Sequence, residues 1–293
     1  MSRRTIFRDL ETLRQAGVPL KFDSANDRYS IANTYFLPPT NFTAEEALSL
    51  IALAGKNSPG KNLPFSEPAR LAAAKLESGL PAPLREEVRG ISRAIQIAMN
   101  QVSPLEDKRE FYQQLVNAIT HRHVVRIKYA SLTEWETIST KLRPYQLLFS
   151  GRSWYAIGRS SLHSETRTFN LSRIQELLPL KEKYALPKTF TLESYLGNAW
   201  HLIPETGPDQ HVVIRFEPLV AQNVAEVLWH KTQQLEWRDD GRLDYHAHVS
   251  GLNEIAWWSL GYGDQAEVLR PAKLRKLVAR RVTNMQRIYA ESR

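Results

Sequence analysis

The spacing of apolar residues changes at Val124, and this change constrains the fold of the chain more than any other feature. Upstream, apolar residues recur every three to four positions, as on one face of a helix. Downstream they alternate with polar residues: in VRIKYAS, Val125, Ile127 and Tyr129 share one face and basic residues lie between them. Several more short alternating segments follow before residue 180. The pattern predicts about five short strands over 124–180, which favours a small β-barrel.

The pattern changes again after His211. Strand and helix periods now follow each other in the order β-α-β-β-α-β, which predicts a ferredoxin-like unit over 205–293. The segments are HVVIRF (211–216), PLVAQNVAEVLW (218–229), QLEWR (234–238), LDYHAHV (243–249), NEIAWWSLG (253–261) and AEVL (266–269). We expect a last amphipathic helix over 272–289 to bury Leu274, Leu277, Val278 and Met285. It would expose most of the eight Lys and Arg residues that lie between Arg270 and Arg293 against one acid.

The first residues predict a short amphipathic helix over 2–16 followed by a β-hairpin around 24–27. Basic side chains crowd the N-terminal end of the helix, opposite its apolar face. This is the end that a recognition helix inserts into the major groove, and the hairpin follows where a winged helix has its wing. An ordinary solvated helix face is the alternative. The candidate DNA contacts are Ser2, Arg3, Arg4, Thr5, Arg8, Lys21 and Arg28.

A helical connector is predicted over 39–123. The sequence TAEE at Thr43–Glu46 is a capping box that opens a helix, and further helical patterns lie at about 66–78, 82–99 and 106–122. The apolar stripes of these helices are explained most simply as core, with a dimer contact as the alternative.

Composition narrows the function. The chain has no cysteine, which excludes disulfides, thiolate zinc sites and cysteine nucleophiles. Its net charge of +8 favours a polyanionic partner. It has no apolar run of membrane-spanning length and no signal peptide, so we expect a cytoplasmic protein without a membrane partner. The histidine pairs 246/248 and 121/123 lack a third ligand at a recognisable spacing, and no catalytic motif is present. We therefore expect no enzyme activity, metal site or cofactor.

The strand region resembles the WYL domain of bacterial transcription regulators. The resemblance rests on VRIKY (125–129), LRPYQL (142–147), GRSWYAIGR (151–159) and RTFNLSRI (167–174), although the name-giving tripeptide is here Trp-Tyr-Ala at 154–156. EVLWH, the Asp-Gly turn and RPAKLR resemble the extension that often follows WYL domains. SRRTIFRDLETLRQAGVPL resembles the recognition helix and the start of the wing in the same regulators.

This resemblance implies a multidomain α+β fold. Its parts are the C-terminal part of a winged helix-turn-helix (1–38), the helical connector (39–123), an Sm-like barrel (124–180) and the ferredoxin-like extension (205–293). Relatives place two more helices before the recognition helix. We therefore expect a truncated winged helix in which Ile6, Leu10 and Leu13 lack packing partners.

The resemblance also implies that the barrel senses a nucleotide or single-stranded nucleic acid. Arginines would bind phosphate, aromatic rings would stack on bases, and Ser131 or Asn170 would read a hydroxyl or base edge. The alternative makes Trp154, Phe169 and Leu171 barrel core and Arg173 a buried salt-bridge partner. The candidate effector residues are Tyr129, Ser131, Trp154, Tyr155, Arg159, Arg167, Asn170 and Arg173.

Together these features predict a transcriptional regulator that binds double-stranded promoter or operator DNA as a homodimer. The alternative is a nucleic-acid-binding module that works through the barrel and does not bind promoters by itself, because its winged helix is incomplete.

Overall fold

The computed structural model describes residues 3–15, 20–23, 28–31, 42–54, 65–94, 103, 106–132 and 135–291. The chain divides into two compact units, residues 1–98 and residues 99–293, and it combines helices with several antiparallel sheets. Within the described residues, no helix combines the length and apolar character that crossing a membrane requires.

The first unit begins with the helix and hairpin that the sequence predicts. Helix α1 spans Arg3–Gln15, and strands β1 (Leu20–Asp23) and β2 (Arg28–Ile31) pair in antiparallel register. The rings of Phe22 and Tyr29 pack 4.9 Å apart across the two strands.

Three helices follow in this unit: α2 (Ala44–Ala54), α3 (Ser66–Gly79) and α4 (Ala82–Ala94). The capping box is confirmed, because the Thr43 N–H donates to Glu46 Oε2 (2.8 Å) and the Glu46 N–H donates to Thr43 Oγ1 (3.2 Å). Ile51, Ala73 and Val88 form a small common core. The predicted continuation of α4 through residue 99 lies outside the described residues.

The second unit opens with a 3₁₀ turn (Glu106–Lys108) and helix α5 (Arg109–His121). One five-stranded antiparallel sheet follows, in the order β6-β5-β4-β3-β7. The predicted alternation is confirmed in β3, where Val125 and Ile127 are fully buried and Arg126 and Lys128 are exposed. The strands are β3 (His123–Ala130), β4 (Thr137–Ser150), β5 (Ser153–Ser160), β6 (Thr166–Asn170) and β7 (Ile174–Lys183).

The remainder of this unit has the predicted β-α-β-β-α-β order, preceded by a short helix α6 (Leu192–Leu196). Its four strands form an antiparallel sheet in the order β11-β8-β10-β9. The elements are β8 (Gln210–Phe216), α7 (Pro218–Ala225), β9 (Gln234–Trp237), β10 (Leu243–Val249), α8 (Asn253–Leu260), β11 (Ala266–Arg270) and α9 (Ala272–Glu291).

Helix α7 ends at Ala225, before the predicted Trp229. The side-chain oxygen of Gln233 accepts hydrogen bonds from the N–H groups of Trp229 (2.7 Å) and His230 (3.1 Å). These hydrogen bonds pair backbone N–H groups of an irregular turn. The helical spacing of apolar residues therefore extends past the end of the helix itself.

The prediction that Met285 is buried is wrong. Leu274 is fully buried and Leu277 and Val278 are half-buried, but Met285 is 47% exposed. From Val282 onward every described side chain of α9 is exposed. The helix is therefore longer than the surface on which it packs, and its apolar stripe continues past that surface.

A buried carboxylate anchors the face of the four-stranded sheet opposite its helices. The side chain of Asp244 is 1% exposed and accepts two hydrogen bonds from Arg215, at 2.7 and 2.9 Å from Nε and Nη2. Arg238 also pairs with it. The hydrogen bonds from Arg215, and then those from Arg238, hold the pKa of Asp244 below its usual value against the opposing effect of burial.

Replacing this carboxylate should destabilise the unit. Asp244→Ala leaves two guanidinium groups without their shared partner. We expect a loss of about 3 kcal/mol in the free energy of unfolding. This value is at the lower end for a broken buried ion pair, because both arginines retain some contact with water. The pKa of Asp244 is lowered on folding. Its contribution to the free energy of unfolding is therefore complete above the ordinary aspartate pKa, and it disappears as the pH falls through the lowered pKa. Urea unfolding of parent and variant should therefore differ at pH 7 and converge in acid.

The control for this prediction is Glu236→Ala. Glu236 is 54% exposed and lies 3.3 Å from Arg238, so its loss should cost less than about 1 kcal/mol. Equal costs for the two variants would contradict the anchoring role of Asp244.

Candidate functional site

A basic cleft lies on the five-stranded sheet, with a volume of about 300 Å³. Three cations, three serines and one carboxylate form most of its wall. The lining residues are Val124, Lys141, Arg143, Arg159, Ser160, Ser161, Ser164 and Glu182. This cleft combines positive charge with hydroxyl donors, which suits an anionic ligand.

The pairing of β4 with β5 brings two arginines together. Arg143 pairs directly with Arg159, and the register shifts by one residue between Pro144 and Gln146. Gly158 makes this approach possible, because a Cβ there would lie 2.3 Å from the Arg143 carbonyl oxygen and 2.9 Å from Pro144 Cα. Only glycine fits between the two strands at this point.

Hydroxyl groups fix the turn that follows β5. The buried Ser160 Oγ lies 2.9 Å from Thr140 Oγ1 and 2.9 Å from His163 Nδ1. The Lys141 N–H donates to Ser161 Oγ (3.1 Å). These hydrogen bonds hold the end of β5 against β4 and thereby fix the wall of the basic cleft.

The charges of the basic cleft are unevenly compensated. Lys141 Nζ lies 2.8 Å from Glu182 Oε2, and this hydrogen bond lowers the pKa of Glu182. Among the described residues, neither Arg143 nor Arg159 has a hydrogen-bond or ion-pair partner for its guanidinium group. Like charges directly opposite each other on neighbouring strands repel. An anion between them would relieve that repulsion and accept planar, bidentate hydrogen bonds.

The predicted effector residues fall on both faces of the sheet. Strand alternation places Tyr155 on the same face as Arg159, and Asn170 of β6 pairs directly with Tyr155. Trp154 lies on the opposite face, and so does Arg167, which pairs with Gly158 in register and with Glu165 by an ion pair of 2.8 Å. Of the predicted set, only Arg159 lines the basic cleft.

Several predicted effector residues have internal partners. The Asn170 N–H donates to the hydroxyl of buried Tyr129 (3.3 Å), and Asn170 Oδ1 accepts from the Ser172 N–H (2.9 Å). The Ser131 N–H donates to the Glu136 carbonyl oxygen (2.9 Å). These contacts shape the ends of β3 and β6.

The alternative core interpretation is confirmed for two residues. Phe169 and Leu171 are buried, and Trp154 is half-buried with its ring 5.0 Å from Tyr112 and 5.4 Å from Phe149. Arg173 is half-buried and makes no ion pair with any residue that the structure describes.

The predicted DNA contacts are described only in part. Ser2 and the side chains of Arg3 and Arg4 lie outside the described residues. Thr5 is half-buried, Arg8 is exposed with Nε 3.9 Å from Asp9 Oδ1, and Lys21 and Arg28 are exposed on the hairpin. Of the three apolar residues expected to lack packing partners, Ile6 is 45% exposed and Leu10 is half-buried, whereas the side chain of Leu13 lies outside the described residues.

The histidine pair of β10 belongs to a larger cluster. His211 of β8 stacks between His246 and His248, with ring centroids 5.5 and 4.8 Å apart. His246 Nδ1 lies 3.3 Å from His211 Nε2, so these two rings share a hydrogen bond. In the described part of the chain, no three His, Asp or Glu side chains are arranged to hold a metal ion. Burial lowers the pKa of His211, and the neighbouring His248 and His246 lower it further.

Comparison with known families and proteins yields several similarities. Residues 110–179 match the WYL domain and residues 208–286 match the WCX domain. The chain is 25% identical over 294 residues to the uncharacterized HTH-type transcriptional regulator YobV of Bacillus subtilis (strain 168), covering 99% of this chain and 90% of that protein. It is also 25% identical over 284 residues to Protein PafB of Mycobacterium leprae (strain TN), covering 93% of this chain and 82% of that protein.

Two solved structures are also similar. Proteasome accessory factor B/C (PafBC) of Arthrobacter aurescens has 17% identity and a TM-score of 0.29, with 95% of this chain and 42% of that chain covered. A CRISPR Cas-related protein has 12% identity and a TM-score of 0.42, with 80% and 66% covered. The chain thus spans less than half of the first structure.

Stability measurements should separate core residues from cleft residues. Trp154→Ala removes a half-buried ring from contact with Tyr112 and Phe149, so we expect a loss of about 3 kcal/mol and a lower Tm. Arg159→Ala removes one of two opposed cations, so the free energy of unfolding should stay within about 0.5 kcal/mol of the parent or rise. Thermal unfolding without ligand measures both variants. A large loss for Arg159→Ala would instead mark this arginine as structural.

Proposed function

We propose that this chain, which carries a WYL domain followed by a WCX domain and resembles WYL-domain transcriptional regulators, is a DNA-binding transcriptional regulator that senses a nucleic-acid effector. The proposal assigns residues 1–38 to the winged helix, 124–180 to an Sm-like barrel and 205–293 to a ferredoxin-like extension. A homodimer fits this assignment, since two-fold symmetric proteins read palindromic operators.

The main support for effector sensing is the opposed pair Arg143 and Arg159 in the basic cleft. Two guanidinium groups on neighbouring strands, neither hydrogen-bonded to a described carboxylate, favour a ligand with a phosphate between them. The other groups of the cleft add to this preference: Lys141 supplies a third cation, and Ser161 and Ser164 line the wall next to it.

The position of Tyr155 favours an oligonucleotide over a free phosphate or mononucleotide. Tyr155 and Arg159 lie on one face of β5, four residues and therefore about 13 Å apart. A base stacked on Tyr155 and a phosphate held by Arg159 thus belong to different nucleotides of one short single strand.

DNA binding is assigned to α1 and the hairpin of β1 and β2. Arg4 and Arg8 are one helical turn apart on α1, and Lys21 and Arg28 are carried by the strands that follow. In a winged helix these elements meet the major groove and the adjacent phosphates.

One observation favours the alternative of a module without promoter binding. Ile6 and Phe7 of α1 are 45% and 60% exposed. Exposed apolar side chains on a helix of 13 residues contribute little packing energy, which disfavours a rigid recognition helix.

Effector binding should depend on the opposed arginines. With a fluorescent five-nucleotide single strand, Arg143→Ala and Arg159→Ala should each weaken binding roughly ten- to a hundredfold, because each removes a charge-assisted hydrogen bond worth about 1.5 to 3 kcal/mol. Fluorescence anisotropy measures the Kd. Arg152→Ala is the charge-matched control, since Arg152 is exposed in the turn at the other end of β5 and should leave the Kd unchanged.

Arg167→Ala tests which face of the sheet binds the strand. Loss of affinity in Arg167→Ala with parent affinity in Arg159→Ala would place the ligand on the opposite face. Parent affinity in Arg143→Ala and Arg159→Ala alike would contradict the sensing role of the basic cleft.

Promoter binding should depend on α1. Arg8→Ala should weaken binding to a duplex from the upstream region of the protein's own gene about tenfold, and should affect a scrambled duplex less if Arg8 contacts base edges. Gel-shift titration measures both. A parent protein that binds the single strand but prefers neither duplex would select the module without promoter binding.

A further inference from the structure

We propose that the outer face of α9 is a second nucleic-acid contact, in which four basic side chains bind the phosphate backbone of duplex DNA. We call them the basic stripe: Lys273, Lys276, Arg280 and Arg287. This contact goes beyond the proposed function, because it uses neither α1 nor the basic cleft.

Helix geometry aligns the basic stripe. Its members are spaced three, four and seven residues apart, so at 3.6 residues per turn they lie within about 60° of one another. All four side chains are exposed. From Lys273 to Arg287 the stripe is about 21 Å long at 1.5 Å per residue, a length that covers about six phosphates along one strand of B-DNA.

The other basic residues of α9 are engaged within the protein. Arg275 pairs with Glu267 (2.8 Å) and donates to the Val268 carbonyl oxygen (2.8 Å). Arg281 is half-buried with its guanidinium carbon 4.0 Å from the ring centre of Trp257. By contrast, no member of the basic stripe has an ion-pair or hydrogen-bond partner among the described residues.

No acidic residue lies along this helix before Glu291. The stripe is therefore a row of uncompensated cations that projects away from the core-facing side of α9. Such a row attracts a linear polyanion, and the release of counterions from the polyanion drives binding.

A lipid surface fits this helix poorly. An interfacial helix inserts its apolar face into the bilayer, but Leu274, Leu277 and Val278 already pack on the domain. The exposed Val282, Met285, Ile288 and Tyr289 continue that same side, away from the basic stripe, and the domain occupies this side along the first turns of the helix.

Duplex DNA fits better than a single strand. The positions between the members of the stripe on this face are polar, namely Thr283 and Asn284. The stripe thus has no aromatic ring on which an unstacked base could rest, and single-strand sites rely on such rings. Phosphate contacts without base contacts bind a duplex regardless of its sequence.

The test compares the parent and a variant of the basic stripe by the salt dependence of their binding to a random-sequence duplex. In the full chain, the combined variant Lys273→Gln, Lys276→Gln, Arg280→Gln and Arg287→Gln should reduce the slope of log Kobs against log[salt] by about 3 to 4, because each lost phosphate contact removes about 0.9. At about 50 mM NaCl its affinity should fall at least roughly tenfold. The single-strand affinity and the Tm should remain those of the parent, since the basic cleft and the core are unchanged.

A second combined variant with the same change in net charge is the control. Arg152→Gln, Lys181→Gln, Lys183→Gln and Lys188→Gln alter exposed positions on and after the five-stranded sheet. This control should keep the slope of the parent. Equal reductions in both combined variants, or a parent-like slope in the stripe variant, would overturn the proposal.

Sedimentation with phosphatidylserine vesicles tests whether the basic stripe binds a lipid surface instead of DNA. If the stripe variant loses vesicle binding while its duplex binding equals that of the parent, the partner is a lipid surface and the proposal fails. This result is distinguishable from failure of the proposed function, because Arg8→Ala and Arg159→Ala report on α1 and the basic cleft separately.

Discussion

The close approach of β4 and β5 at Gly158 determines what the five-stranded sheet can bind. Any side chain at this position would collide with the backbone at Arg143 and Pro144, so the two strands can meet here only around a glycine. This approach places Arg143 directly opposite Arg159. The protein thereby maintains two facing cations in the free state, and their mutual repulsion is what an anionic ligand relieves.

Charge is handled differently elsewhere in the same unit. On the four-stranded sheet, Asp244 accepts hydrogen bonds from both Arg215 and Arg238. This network stabilises the fold, and its charged groups are already paired with one another rather than with a ligand. In the basic cleft Glu182 forms its hydrogen bond with Lys141 and acts on Arg143 only through the longer-range attraction of opposite charges. Cations without a hydrogen-bonded acid among the described residues line the basic cleft and the outer face of α9, and these two surfaces therefore favour polyanions.

Local patterns in the sequence predict local structure well. Alternation in β3 follows from burial of one face, and the capping box at Thr43 and Glu46 needs only neighbouring residues. The partner of Arg159 depends instead on a bulge. Counting back along the hairpin from the Ser150–Ser153 pair without a register shift would place Arg159 opposite Pro144, and only the extra residue in β4 brings it opposite Arg143. Likewise, the apolar period of α9 predicts burial of Met285 but does not reveal where the packing surface ends.

We propose that the opposed arginines hold a phosphate of a nucleic-acid ligand. The most direct measurement is a crystal structure of the full chain with a short 5′-phosphorylated single strand. We expect a phosphate between the guanidinium groups of Arg143 and Arg159, with a neighbouring base against Tyr155. A strand bound on the face that carries Trp154 and Arg167, with the basic cleft empty, would contradict it.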